Sequence, residues 1–432
     1  MRKCLFRLVT ALICVVLVCG AVAGCSKQQD YSESVTPSVH SRETDALIEE
    51  SLEEENPTAI SESEKVDPTE SREPESDAGT ELPKYMTTMQ VTKDMGIGIN
   101  LGNTFEACGD WITGGTVTAY ETAWGSPVIT KAMIKGYAKE GFKTLRIPVA
   151  WSNMMGQNYT INPQLISRVK EVVSWAVECD MYVILNIHWD GGWWANFPTS
   201  KEICMNKYKA VWTQLAREFG EFDHRLIFES LNEEGCWDSV WNRYGQSTDG
   251  KQKAYGLLNE INQVFVDLIR SSGYNNSDRH LLIAGYATDI DLTCDEAFVM
   301  PNDPVSRCAV SVHYYTPANY CVLTENASWG AVKTTWGSAE DKAQLTQYMT
   351  MLKNRFVDKG VPVIMGEFGV VMDNKTKEDA TGFLSAVAET ALNNGVCPVL
   401  WDITSKYSFY NRNSCSMADY PKLKENFNNL TK

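Results

Sequence analysis

The stretch "LIFESLNEEG", Leu226–Gly235, decides how this chain is read. An apolar run of strand character ends abruptly in Asn232-Glu233-Glu234, with a further acid, Glu229, inside it. Charged groups at the end of a buried strand do nothing for folding, since each must be desolvated or paired. Side chains alternate along a strand, so Glu229, Leu231 and Glu233 are expected on one face. At ~3.3 Å per residue Glu229 then lies about 13 Å below Glu233, as a structural acid with an interior partner. Glu234 falls on the other side of the alternation, in the loop, facing solvent or adding charge beside Glu233. Glu233 is the candidate for chemistry.

Working outward, similar apolar runs alternate with helical patterns, the signature of βαβ units and a parallel sheet. The expected strands are 95–100, 143–149, 181–187, 225–231, 280–286, 308–314, 361–367 and 397–402. Patterns such as "SRVKEVVSWAVE" and "GLLNEINQVFVDLIR" lie between most of them. Eight such units predict an α/β fold of the (β/α)8 TIM-barrel type over residues 85–432. A doubly wound sheet competes, but "GIGINLG" spaces its glycines wrongly for a dinucleotide loop and opens no helix.

In such a barrel the chemistry sits at the carboxyl ends of the strands. The polar residues expected there are Asn100 and Asn103, Arg146, His188 and Asp190, Asn232, Glu233 and Glu234, His313 and Tyr315, Glu367, and Trp401 with Asp402. Two glutamates on strands four and seven suit glycoside hydrolysis, where one carboxyl protonates the leaving oxygen and another attacks or activates water. His188, His313 and Asp190 could instead ligate a metal, but such barrels carry H-x-H on the first strand and this one has no histidine there. No metal and no cofactor are expected.

The motifs "INLGNTFEA", "ETAWGSP", "GFKTLRIPVAW", "YVILNIHWDGGWW", "FESLNEEG", "SVHYYTP", "PVIMGEFG" and "PVLWD" occur in this order. Together they resemble glycoside hydrolase family 5, most of all its bacterial endoglucanases and xyloglucanases. The resemblance implies Glu233 as acid/base and Glu367 as nucleophile, with retention of configuration. It implies Asn232 on the sugar 2-hydroxyl, Arg146 and Tyr315 holding Glu367 ionised, His188 and His313 lining the cleavage subsite, and Trp401 as its floor. Two positions depart from the family: Glu234 stands where proline is usual, and Trp189 where relatives often have a second histidine. Trp193, Trp194 and Trp237, in loops after catalytic strands, are expected in the cleft. The substrate implied is a β-1,4-glucan, with a β-mannanase or a non-hydrolytic glycan-capture lipoprotein as alternatives.

The remaining chain speaks to location. Arg2, Lys3 and Arg7 precede the apolar run "LVTALICVVLVCGAVAG", which ends at Val22-Ala23-Gly24-Cys25. Its end resembles the lipobox of bacterial lipoproteins, which implies a signal peptide over residues 1–24 and lipid attachment at Cys25 on the cell surface. An ordinary signal peptide and a marginal membrane span are the alternatives, and all three place the rest of the chain outside the cytoplasm. Residues 25–84 are rich in Ser, Thr, Pro and Glu, and carry 17 acidic against 5 basic residues from Ser26 to Lys84. Such a segment cannot bury enough apolar surface to fold, and is expected to be a disordered tether. It holds most of the chain's net charge of −16, which argues against a nucleic-acid partner. Of 13 cysteines, nine follow the tether without any C-x-x-C pair, so neither a zinc framework nor a disulfide scaffold is expected. A monomer is expected.

Overall fold

A computed structural model describes residues 86–235 and 237–432. The signal peptide, Cys25 and the tether lie outside the described residues. Eight parallel strands close in sequence order into a barrel: β1 Gly98–Asn100, β2 Thr144–Ile147, β3 Tyr182–Asn186, β4 Leu226–Glu229, β5 Leu281–Ala284, β6 Cys308–Tyr314, β7 Val363–Phe368 and β8 Val396–Leu400. The (β/α)8 expectation holds.

Before the barrel comes α1, Thr88–Asp94, whose capping box between Thr87 and Gln90 fixes its start. The helices outside the barrel include α2 Lys131–Glu140, α3 Pro163–Glu178, α4 Lys201–Glu218, α5 Lys251–Ser271, α6 Ile290–Thr293, α7 Ala339–Arg355, α8 Lys377–Asn393 and α9 Pro421–Leu430, besides the short turns Val117–Glu121 and Ala318–Cys321. Their apolar residues recur at helical spacing; in α3, Leu165, Ile166, Val169, Val172, Val173 and Ala176 form the buried stripe. Asn162 caps α3 and Pro163 occupies its first turn, where the missing N–H costs nothing. The β5–β6 connection departs from the simple alternation, since α6 has only four residues.

Residue parity decides what faces the barrel interior. Tyr182, Ile184, Ile227, Leu282, Ala309, Ile364, Cys397 and Val399 pack together inside, with Val91 and Met95 joining them from α1 and the turn after it. Each large apolar side chain buried this way contributes about 1.5–3 kcal/mol. The alternate residues, such as Leu145, Val183, Phe228 and Ile283, pack in the larger cluster with the helices. Two steps along β3, β4 and β6 from the inner apolar layer stand Asn186, Glu229 and Ser311, and there the site begins.

Two local departures shape that site. Strand β4 ends at Glu229 rather than Leu231: the carbonyl of the next residue, Ser230, accepts from the Tyr208 hydroxyl and the Trp212 indole N–H, and its hydroxyl donates to Asn262 Oδ1 (2.8 Å). The β6–β7 register also shifts, pairing Val312 with Met365 but His313 with Glu367, so Gly366 is the extra residue of a bulge. Strict alternation would send Glu367 outward with Val363 and Met365. The bulge turns it inward, as bulges beside active sites do.

Candidate active site

The polar layer is organised by Arg146, whose side chain is fully buried. Its Nε donates to Glu229 Oε2 (2.7 Å), and one terminal nitrogen donates to Glu367 Oε1 (2.7 Å) and Asn100 Oδ1 (3.0 Å). The other terminal nitrogen donates to Asn232 Oδ1 (2.8 Å). One planar guanidinium thus joins strands β1, β2 and β7 with both ends of the "ESLN" segment. A fork with fixed donors can do this; a lysine ammonium cannot.

Glu229 is the structural acid expected, and its partners are now explicit: besides Arg146 it accepts from Asn186 Nδ2 (3.0 Å) and Ser311 Oγ (2.7 Å). Its expected depth needs correction. Because β4 stops at Glu229, the rise of an extended strand does not apply beyond it, and Arg146 touches Glu229, Asn232 and Glu367 at once. Asn186 and Ser311 were missed as supporting residues, although they share the inward parity of His188 and His313 on their strands.

Above Arg146 the two glutamates meet. One carboxylate oxygen of Glu233, one of Glu367 and a ring nitrogen of His313 lie within 4.8 Å of one another. His313 Nδ1 stands 2.8 Å from Glu233 Oε1 and 3.6 Å from Glu367 Oε2. Tyr315 donates its hydroxyl to Glu367 Oε2 (2.9 Å), so both oxygens of Glu367 accept from a donor. Burial pushes the Glu367 carboxyl up, the Glu233 charge adds to this, and His313 and Arg146 pull it down. Two acids this close share protons, and the guanidinium and phenol favour the anion on Glu367. Glu233, His313 and Glu367 could geometrically surround a cation, but it would sit beside the guanidinium already bonded to Glu367. That donor set suits proton transfer better than metal chemistry.

His188 and Trp401 stack with ring planes 5° apart and centroids 5.9 Å apart. Burial, then the charges of Arg146 and His313, hold the His188 imidazole well below its ordinary pKa, so it is neutral. Asn103 takes a left-handed backbone (φ 56°), with its N–H pointing at the Glu106 carboxylate.

Glu234 differs from expectation. It is 1 % exposed, and neither carboxylate oxygen has a hydrogen-bond partner. The Glu234 carbonyl accepts from Ala287 N (2.6 Å) in the loop after β5, which ties the two loops together, and the side chain is buried rather than facing solvent. Burial pushes its carboxyl well above the ordinary range, the Glu233 and Glu229 charges add to this, and the backbone N–H groups of Asn232 and Glu234 pull the other way.

The tryptophans divide. Trp194 and Trp237 are 5 % and 2 % exposed and pack into the wall, Trp237 against Phe197 and Tyr286 with its indole N–H on the Trp194 carbonyl. Both rings are largely covered by neighbouring side chains. Trp193 stays half-buried, tied to Asp190 Oδ2 (2.6 Å), which also holds Ser152. Trp111, overlooked among the sequence's many tryptophans, is 56 % exposed.

A family model described as Cellulase (glycosyl hydrolase family 5) matches residues 105–407. The chain belongs to glycoside hydrolase family 5. Among relatives in this family, Endoglucanase A of Paenibacillus barcinonensis is 37 % identical over 350 residues, covering 74 % of this chain and 83 % of its own. A xyloglucan-specific endo-β-1,4-glucanase of Bacteroides ovatus is 32 % identical over 342 residues, covering 73 % of this chain and 65 % of its own. A lichenase from Caldicellulosiruptor sp. F32, solved with cellotetraose, superposes with TM-score 0.74 at 32 % identity, covering 81 % of this chain and 96 % of its own. A broad-specificity endoglucanase from an uncultured bovine rumen ciliate superposes with TM-score 0.72 at 35 % identity, covering 80 % and 98 %.

Proposed function

We propose that this family 5 hydrolase is a retaining endo-β-1,4-glucanase that cuts internal bonds of β-glucans such as swollen cellulose, xyloglucan or mixed-linkage glucan. The observation that carries the reading is the approach of Glu233 and Glu367 to within 4.8 Å. Retaining enzymes place their carboxyls about 5–5.5 Å apart, whereas inverting enzymes leave about 6.5–9.5 Å for a water. The names of the relatives, endoglucanases, a lichenase and a xyloglucanase, support the substrate class.

In the first step Glu367 attacks the anomeric carbon while Glu233 gives its proton to the departing glycosidic oxygen. A glycosyl ester on Glu367 and a shortened glucan result. Glu233, now anionic, takes a proton from water, whose oxygen attacks the same carbon and restores Glu367. Arg146 and Tyr315 keep the nucleophile ionised, and His313, with Nδ1 2.8 Å from Glu233 Oε1, positions the acid/base. Asn232, its Oδ1 engaged by Arg146, has its amide N–H2 left for the sugar 2-hydroxyl. Trp401, braced by His188, forms the floor of the subsite, with Asn103 and Trp193 at its edge.

Reducing-sugar release from β-glucan, xyloglucan and mannan by wild type, Glu367→Gln and Glu233→Gln tests this. Wild type is expected to act on the glucans, Glu367→Gln on nothing, and Glu233→Gln to lose about 10²–10⁴-fold except on aryl cellobiosides with good leaving groups. A wild type that binds these glycans but releases no ends, like Glu367→Gln, would make the chain a capture protein instead.

The proposal extends to location. Support comes from the small residues preceding Cys25 and the acidic segment after it: the enzyme works as a monomer outside the cell, lipid-anchored through Cys25. Expression of Cys25→Ala in the source cell, followed by fractionation, checks it; an enzyme still in the membrane fraction speaks against the anchor.

A further inference from the structure

From Trp111 we infer a remote sugar-binding platform on the rim of the catalytic cleft, holding part of a glucan chain that extends beyond the sugars at the two glutamates. The inference rests on the glucanase reading and adds a residue and a length dependence to it.

Among the described residues with large exposed apolar side chains, Trp111 is the only tryptophan; the others are Val128, Ile203, Tyr274, Val299 and Val305. A single exposed apolar residue ordinarily needs no explanation. Two observations set this one apart. The first is that its ring is braced. A Cβ on Gly109 would lie 2.5 Å from the indole nitrogen and 2.9 Å from its neighbouring carbon, so the indole edge lies directly on the glycine backbone. The Ile112 N–H donates to the Gly109 carbonyl (3.0 Å) and closes the turn that presents it. A freely tumbling surface side chain would not need a glycine beneath it.

The second is where the turn stands. It leaves the carboxyl end of β1, the same end that carries Asn100 and Asn103. Its base is tied to the loops after β2 and β3: Phe105 O accepts from Ala150 N (2.9 Å), and Ala107 O from Asn153 Nδ2 (2.7 Å). Cys108 lies near Gly191 and Asp190, in the loop that carries Trp193. Trp111 follows Cys108 by three residues, a span of at most about 11 Å. It therefore belongs to the rim beside the Trp193 loop, within reach of a polymer crossing the mouth.

The ligand chemistry follows from the side chain. An indole face is flat, apolar and weakly negative, and matches the C–H face of a pyranose ring, while the polar neighbours Asp110 and Thr113 are exposed toward its hydroxyls. An equatorially linked glucan keeps such faces available along its length. A braced ring loses little side-chain freedom on binding, so more of the contact appears as affinity.

The test measures binding of cellotriose and cellohexaose by calorimetry on the Glu367→Gln background, with and without Trp111→Ala or Trp111→Phe, beside wild-type turnover. Trp111→Ala is expected to weaken cellohexaose about tenfold and leave cellotriose unchanged, with Trp111→Phe restoring most of the loss. In otherwise wild-type enzyme the same variant should raise KM on mixed-linkage glucan with kcat unchanged. Equal affinities for cellohexaose in the Ala variant and its parent, or equal losses on both oligosaccharides, would overturn the platform. A wild type that hydrolyses glucans in that case keeps the glucanase reading intact, and one that hydrolyses none removes it.

Discussion

Arg146 is the residue on which the site's geometry turns. A buried guanidinium between two carboxylates is costly to desolvate and is retained only when its donors are used, and here Glu229, Glu367, Asn100 and Asn232 take them. Glu229 shares the work by neutralising the side of Arg146 away from the reaction, leaving the other free to orient Glu367. Arg146→Lys keeps the charge but not the fork. It is expected to destabilise the fold by about 3–5 kcal/mol, as breaking a buried pair does. Activity should fall at least about 10²-fold as Glu367 loses its aim. Urea unfolding and kcat on mixed-linkage glucan check both, and a Lys variant near wild type in kcat would show that orientation does not depend on the fork. Glu233, Glu367 and Arg146 were legible as residues because carboxylates and a guanidinium at apolar strand ends have few structural reasons to be there. The burial of Glu234 was not legible, since alternation loses its meaning where the strand stops.

At the scale of elements, strand positions could be read from apolar runs, but register could not. The bulge at Gly366 decides which way Glu367 points, and a glycine in "VIMGEF" signals a bulge or a close approach without saying which. Here it is both: a Cβ at Gly366 would lie 3.3 Å from His313 Nε2 and from Ser311 Oγ. The loops after β1 and β8 are likewise joined by contacts that no local pattern announces. Arg412 donates to Thr104 Oγ1 (2.9 Å), Gly102 O (2.8 Å) and Asp402 O (3.2 Å). Asp402 Oδ2 accepts the N–H groups of Phe409 (2.8 Å) and Tyr410 (2.9 Å), while Oδ1 has no hydrogen-bond partner. Burial pushes both Asp402 and Glu106 up to about 7, against the pull of Arg412 and backbone N–H groups. An acid whose folded pKa is raised binds more protons folded than unfolded between the two values. Its contribution is therefore full below the unfolded pKa, about 4, and is lost as pH climbs to about 7. Thermal stability is expected to fall between pH 5 and pH 7.5, and Asp402→Asn to flatten that slope. A melting temperature that rises over this range in the wild type would contradict the assignment.

For the whole molecule, length, alternation and polar strand ends were enough to anticipate a closed barrel with its chemistry at one end, because the period of each element is set by local geometry. What joins the strands, the Arg146 network and the Arg412 tie, arises from residues distant in sequence and became visible only in three dimensions. Nine cysteines follow the tether, and the eight among the described residues are all unpaired, so the barrel is held by packing and buried polar networks rather than by cross-links there. Glu233 and Glu367 stand too close for a water to take the place of Glu367 as the first nucleophile beneath the sugar. The most direct measurement is the anomeric configuration of the first product, followed by proton NMR from the first minutes of cellohexaose hydrolysis, before mutarotation. The β-anomer should appear first and decay toward equilibrium; initial release of the α-anomer would show inversion and contradict the account.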